Sequence, residues 1–346
     1  MSKKGARYRK LTYRRAGVDI QAAEAWLGRM GPAIRSTHGP EVLDDLGQFA
    51  GLFRFPSRRY RDPVLVASAD GVGTKLKVAA LVGAHEAIGV DVVAMNVNDV
   101  LVYGAQPLFF LDYLAVGRVQ PRLMSQLLGG IVNGCRQSGC ALLGGETAEM
   151  PGVYARGDYD LAGFCVGVAS RRALIDSSRV RAGDAVIGLA SSGVHANGFS
   201  LVRKALAPES LRRMARQLMA PTRIYARPVL RLLERVPVQA IVHVTGGGLA
   251  RRLPALVARQ PRLAVRVASR RWRPPPVFAA IQREGRLERA QMRATFNMGI
   301  GMALAVRAPD VPRALAILRR AGTPAWHIGG IEARGRGTAL RIEDEE

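Results

Sequence analysis

The chain has 346 residues, 48% of them hydrophobic and 6% aromatic, with 51 Lys and Arg against 27 Asp and Glu for a formal charge of +24; the length allows about two domains, each with its own core. No apolar run reaches the roughly 18 residues of a membrane span and the opening MSKKGARYRK lacks a signal peptide's apolar middle, so a cytoplasmic protein with no membrane partner is expected. The positive charge invites a nucleic-acid partner, but arginine carries it and is spread over the tail, the second half and many helix-like faces, so none is expected.

Residues 1–20 are basic without a strong period and read as a mobile arm, followed by a first domain over 21–170 and a second over 171–346. The first strand, VLVASADGVGTKL from Val64 to Leu76, ends on Asp70, Gly71, Gly73, Thr74 and Lys75. A P-loop needs Gly, four residues, then Gly-Lys-Ser/Thr; here the spacing is too short and Thr74 precedes Lys75, so that reading fails. What is left is an aspartate at a strand's C-terminal edge, where open α/β sheets hold ligands. The two glycines allow close approach of an anion, and a helix from Lys75 turns its N–H groups toward phosphate. The plain alternative is a strand-to-helix turn with an aspartate cap.

A longer helix follows over about 87–103, carrying Asp91, Asn96, Asn98 and Asp99 among valines. Asp91, about two turns from Asn98, is explained by a solvated face. Asp99 is not, because a carboxylate among apolar residues costs free energy unless something pairs with it, and it is read as a magnesium or substrate contact. The strand PLFFLDYLAVG, a helix near 121–138 and CALLGG come next. Gly144 and Gly145 interrupt an apolar strand, and Glu146 and Glu149, three apart, share a face if a helical turn forms; one of them is a candidate metal ligand. Residues 62–160 hold ten acidic and six basic side chains, so negative charge gathers where glycine loops are dense, as magnesium with nucleotide phosphates would require.

After YDLAGFCVGVAS, the charged turn 171–184 is the best domain boundary, because the strand AVIGLASSG begins directly beyond it. Helices are expected from Gly198 and near 221–235, then the strand QAIVHVTGGG with a helix behind it, then GIGMALAV and a helix near 310–320. Alternation of this kind implies two α/β or α+β domains. SSGVHANGFSL presents His195 and Asn197, and HVTGGGLARRL presents His243 with Gly246, Gly247 and Gly248 leading into a helix, a ready phosphate cradle. Cys135, Cys140 and Cys165 lack zinc spacing and are read as free thiols.

Taken in order, AGVDI, DGVGTKL, VNDVLVYGAQPLFFLDYLAVG, GCRQSGCALLGGETAEMPGVY, YDLAGFCVGV, ASSGVHANGFSLVRK, LMAPTRIY, HVTGGG and TFNMGIGM closely resemble the phosphoribosylformylglycinamidine cyclo-ligases, or AIR synthetases, over about residues 13–332. The resemblance implies a two-domain α/β (α+β) fold, with an N-terminal domain of mixed sheet with helices through which a homodimer forms, and a C-terminal mixed sheet flanked by helices. It implies ATP-dependent closure of formylglycinamidine ribonucleotide to aminoimidazole ribonucleotide, with Mg2+. On it, Asp70, Asp99 and Glu146 would hold the metal, and Lys75 would contact ATP phosphate beside Gly71, Gly73, Thr74, Asn98, Gly144 and Gly145. His195 and His243 would position substrate or move a proton, with Asn197 and Gly246–Gly248 near the ribonucleotide phosphate. The chain departs from the family at Arg14, where lysine is frequent, at Ala69, where threonine is usual and which directly precedes Asp70, and at Asn96, where a small thiol is frequent.

Overall fold

The computed structural model describes residues 12–13, 16–43, 49–155, 157–335 and 337–343. Most of the expected arm, residues 1–11 and 14–15 with Arg14 among them, lies outside the described residues. Its C-terminal end belongs to the body of the protein: Asp19 accepts from Ala22 N to cap helix α1 (Ile20–Arg35), and its own N–H donates to Glu149 at 2.8 Å.

The first half is a four-stranded mixed sheet with helices on one face. Strands β1 (Pro63–Gly71), β2 (Gln106–Val116), β3 (Ala141–Glu149) and β4 (Tyr159–Ser170) lie in the order β1-β4-β2-β3, with β4 antiparallel to both neighbours and β2 parallel to β3. Helix α2 (Lys75–Val82) follows β1 directly. Behind the sheet run α3 (Glu86–Leu101) and α4 (Pro121–Ser138), with α1 packed on α4 through a Trp26 Nε1–Ser125 Oγ bond of 3.0 Å. Residues Ile88 to Leu101 of α3 are buried with the exception of Asp99, because α3 lies between the sheet and α4. That sandwich needs backbone contact, and Gly89 and Gly130 supply it: a Cβ on either would run into a carbonyl of the facing helix, Leu127 O or Glu86 O.

The second half is a six-stranded mixed sheet in the order β10-β7-β9-β5-β8-β6. Its strands are β5 (Ala185–Ala190), β6 (Val238–His243), β7 (Leu263–Ala268), β8 (Ile300–Val306), β9 (Ala325–Ala333) and β10 (Leu340–Glu343), antiparallel throughout except for the β10/β7 edge. Helices Ala226–Leu233 and Val311–Arg320 bury Val229, Leu232, Ala314 and Leu318 against Ile187 and Leu304, while Leu253, Leu256 and Trp272 pack with Val265 and Ile300. Helix α5 (Phe199–Ala205) and the helices Pro276–Gly285 and Arg289–Thr295 share a core with the first half, where Phe199, Phe278 and Phe296 meet the cluster holding Val78 and Met95.

The expected strands and most helices form where read. The helix expected near 221–235 is shorter, Ala226–Leu233, and α1, β7, β9, β10 and the helices Pro276–Gly285 and Arg289–Thr295 are additions to that reading. The three cysteines are free and buried, and burial pushes the Cys135 and Cys165 thiols well up. Among the described residues no helix is long and apolar enough to cross a membrane.

Candidate active site

Between the two halves lies a cleft of about 690 Å3. Asp70 reaches it from the C-terminal edge of β1, Asp99 from the last turn of α3, and His243 from the end of β6; Thr245, Arg252, Tyr103, Asp176 and Arg259 are among the other polar residues of the lining. A second cavity, of about 560 Å3, sits at the other end of the first sheet, where Arg136 and Arg227 bond Ser36 Oγ and the Arg136 carbonyl at helix C-termini. Cations belong at such ends on dipole grounds, and that cavity has no paired carboxylates.

Asp99 and His243 act as a unit. His243 Nδ1 lies 2.8 Å from Asp99 Oδ1, with the imidazole 2% and the carboxylate 42% exposed. On the far side of the ring Asn98 Nδ2 faces Nε2 at 3.5 Å, a pair of partners that assigns the proton to Nδ1. His243 is thereby a buried strut that aims Asp99 into the cleft. Asp70 Oδ1 accepts from Gly71 N at 2.8 Å. Partial burial pushes the Asp70 carboxyl up; the Gly71 N–H opposes this, Asp99 pushes it further, and His243 and Arg252 pull it down. A carboxylate raised by burial and by a second carboxylate beside it is the condition a divalent cation relieves.

The Gly246–Gly248 loop runs on from β6 beside this pair. Gly247 and Gly248 hold left-handed φ of 91° and 59°, and a Cβ on Gly248 would strike the Phe296 and Arg293 carbonyls. Asn197, half-buried, stands next to Gly246, its Oδ1 3.5 Å from where a Cβ would sit. Asp70, Asp99, His243, Thr245 and the glycine loop therefore gather in one place, with Asn197 at its border.

Other expected site residues are elsewhere. Lys75 is not free to meet a phosphate: its side chain is wholly buried, with Nζ 2.7 Å from Asp91 Oδ2 and 3.1 Å from the Ala220 carbonyl. Burial pushes that ammonium down and Asp91 draws it back up. Asp91 is the other half of the correction, being fully buried rather than solvated, with Oδ1 accepting from Thr222 N at 2.7 Å and Thr222 Oγ1 at 2.6 Å. Asn98 is also consumed structurally, donating to Arg223 O at 2.9 Å and accepting from Tyr225 N at 3.0 Å.

His195 lies outside the cleft lining, 1% exposed with φ of 65°. Its Nε2 accepts from Ser192 N at 3.2 Å and Arg223 N at 3.4 Å, and burial, aided by His243, Lys75 and Arg223, holds it well below the ordinary imidazole range. It is a neutral ring that ties two loops together outside the cleft lining.

Glu146 departs furthest from expectation. The register Asp70↔Gly163↔Asp112↔Gly145 crosses all four strands, so Glu146, one residue on, shares a row with Gly71 and points to the opposite face. Three strand spacings, roughly 14 Å, separate that edge from β1. The helical turn that would align Glu146 with Glu149 does not form, since β3 runs through both, and Glu149 accepts from Asp19 N and Val119 N instead. Gly144 and Gly145 lie on the same far strand, and Gly145 leaves room for Asp112, whose carboxyl burial pushes up to about 7, aided by Glu146. Gly73 and Thr74 are exposed at the start of α2, where Thr74 Oγ1 meets Ser200 Oγ at 3.0 Å. Ala69 points to the outer sheet face, so a hydroxyl there would not stand beside the Asp70 carboxyl. Among the described residues no cluster of three or more His, Cys, Asp or Glu forms a metal cage.

Models for the N-terminal and C-terminal domains of AIR synthase related proteins match residues 49–169 and 181–341. A phosphoribosylformylglycinamidine cyclo-ligase of Anaeromyxobacter dehalogenans (strain 2CP-C) is 50% identical over 95% of this chain and 98% of its own, and one of Myxococcus xanthus (strain DK1622) is 48% identical over 96% and 99%. The fold is similar to that of thiamine-monophosphate kinase from Stenotrophomonas maltophilia K279a (TM-score 0.66, 21% identity, 90% and 95% of the two chains). It is also similar to hydrogenase maturation protein HypE in complex with ATP (TM-score 0.65, 17% identity, 95% and 93%).

Proposed function

The chain belongs to the AIR synthase related family as a phosphoribosylformylglycinamidine cyclo-ligase, and from that premise we propose that Asp70, Asp99 and the Gly246–Gly248 loop carry its ATP-dependent ring closure. The reaction converts formylglycinamidine ribonucleotide to aminoimidazole ribonucleotide in purine biosynthesis. The observation that carries the site assignment is the pairing of Asp70 with a His243-braced Asp99 at the mouth of the cleft beside the glycine loop.

The formamide oxygen is a poor leaving group. Its attack on the γ-phosphorus of ATP breaks the bond to the β-phosphate oxygen, releases ADP and leaves an imidoyl phosphate. The ribose-bearing amidine nitrogen then adds to that carbon, the C–O bond breaks with loss of phosphate and of that nitrogen's proton, and a proton moves from the ring methylene to the exocyclic imine nitrogen to give the aromatic aminoimidazole. Catalysis of such a transfer is mostly alignment and neutralisation of charge. Asp70 and Asp99 fit Mg2+, which takes one or two carboxylates and completes its shell with phosphate and water; when bound it supplies charge neutralisation on the phosphates. Glu146 of the same chain does not fit that set. His243 keeps Asp99 aimed, and Asn197 with Gly246–Gly248 receives the ribonucleotide phosphate.

We further propose a homodimer formed through the outer face of the first sheet. Leu65, Phe164 and Tyr113 are 62, 44 and 39% exposed there, around Ala69 and Leu111 in the same register. Contiguous exposed apolar area of this kind marks an interface. The domain divide falls in the turn 171–184 and the working compartment is the cytoplasm. The assignment is tested by Mg2+-dependent phosphate release that requires formylglycinamidine ribonucleotide: Asp70→Asn and Asp99→Asn are expected to lose at least about 100-fold in kcat. Near-normal turnover in both would sink it.

A further inference from the structure

Arg252 stands in the cleft wall with no part in the assignment above. It ends the short helix Gly248–Arg252 and lines the cleft together with Asp70, Asp99 and His243. Its Nε donates to the Gly246 carbonyl at 2.9 Å, which anchors the guanidinium to the glycine loop and leaves both terminal nitrogens for a second partner. No carboxylate among the described residues lies within ion-pair distance of it, although Asp70 feels its charge from further off. The other arginine of the cleft differs, for Arg259 is tied to Asp176 at 2.5 Å.

We propose that Arg252 binds a phosphate group of the reactants, bridging the glycine loop and the Asp70–Asp99 end of the cleft. The inference rests on the function proposed above. A guanidinium is planar and forked, matches two phosphate oxygens at once and stays charged throughout the working pH range. Both reactants carry phosphate, so the partner is either the ribonucleotide's 5′-phosphate or the phosphoryl group of ATP in transfer, and the kinetics separate the two.

Arg252→Gln, Arg252→Lys and Arg252→Ala are assayed with each substrate varied in turn, after their unfolding midpoints are matched to the parent chain. Arg252→Gln is expected to lower kcat/KM by about 10- to 100-fold. Lys restores part of that loss, and millimolar guanidinium restores part of the activity of Arg252→Ala. A loss carried by KM for the ribonucleotide identifies its 5′-phosphate, and a loss in kcat or in KM for ATP identifies the transferring phosphoryl; either supports the inference. Arg252→Gln within twofold of the parent in all constants overturns it. So does a loss that Lys shares in full and guanidinium does not relieve, which marks a mere anchor for the loop. Inactive Asp70→Asn alongside normal Arg252→Gln defeats this inference alone, whereas active Asp70→Asn and Asp99→Asn defeat the underlying function.

Discussion

Replacing Asp91 with asparagine leaves the Lys75 ammonium, wholly buried and 2.7 Å from the lost charge, without a counter-ion. Breaking a buried pair in this way costs about 3–5 kcal/mol. A second route to the magnitude sets its ceiling, because the stranded ammonium can release its proton instead. From an ordinary value of about 10.4, doing so at pH 7 costs about 4.6 kcal/mol, at about 1.36 kcal/mol per unit. At pH 9 the same step costs only about 2 kcal/mol, so the penalty of Asp91→Asn should fall to about 2 kcal/mol or less there. Asp91 also holds Thr222 in the second half of the chain, so both halves should lose stability together. Urea unfolding followed separately through Trp26, buried in the first half, and Trp272, buried in the second, measures this. The double variant Lys75→Met with Asp91→Leu should recover most of the loss, since apolar replacements leave no orphaned charge. A single-variant penalty below about 1 kcal/mol, or one unchanged from pH 7 to pH 9, would refute the reasoning.

Two further outcomes follow from the sheet. Asp112, lifted to about 7, keeps its proton in the fold where the unfolded chain has released it, so its contribution to stability falls as pH rises from about 4 to about 7. Asp112→Asn should therefore gain about 2 kcal/mol at pH 8, under half the full linkage value because the carboxyl is only partly buried, and nothing at pH 4; equal effects in thermal unfolding at both would contradict it. Phe164→Glu sets a carboxylate in the middle of the exposed apolar face, and sedimentation should show a monomer with an unchanged unfolding midpoint. A dimer as tight as the parent's would move the interface elsewhere.

The parts of the site legible in the sequence were those fixed by local structure. A strand that ends on Asp70 puts it at the sheet's C-terminal edge whatever else surrounds it. Likewise an aspartate at the end of a buried helix has to leave the core there, and Asp99 does. Glu146 fails for lack of the one datum a motif does not contain, which is strand order: β3 sits at the edge furthest from β1, and alternation turns Glu146 to the other face. Helix α1 carries its signal in an Asp19 cap followed by Trp26 and Ile34 on its buried side. Strand β7, with exposed Arg266 between buried Val265 and Val267, hid its alternation within the arginine background.

Lys75, Asp91 and Asn98 share one structural role. Each carries a functional group in a glycine-rich or apolar block, where the sequence alone points to a ligand or a surface. All three end on a single segment more than 120 residues away: Lys75 on Ala220, Asp91 on Thr222, Asn98 on Arg223 and Tyr225. His195 grips the same segment through Arg223 N. Buried polar groups without partners would cost several kcal/mol each, so a joint built from them closes in one register only. That register brings the end of α3 against the end of β6, and with it Asp99 against His243. The residues that resemble chemistry in the sequence thus serve the geometry, holding two domains so that two half-buried carboxylates and a glycine loop face one another across the cleft. Loosening the joint should disturb catalysis through Asp99 even where no joint residue touches substrate. An Asn98→Ala chain that folds but loses activity, with its affinity for ATP intact, would bear this out, and full activity would show that the His243 brace suffices alone.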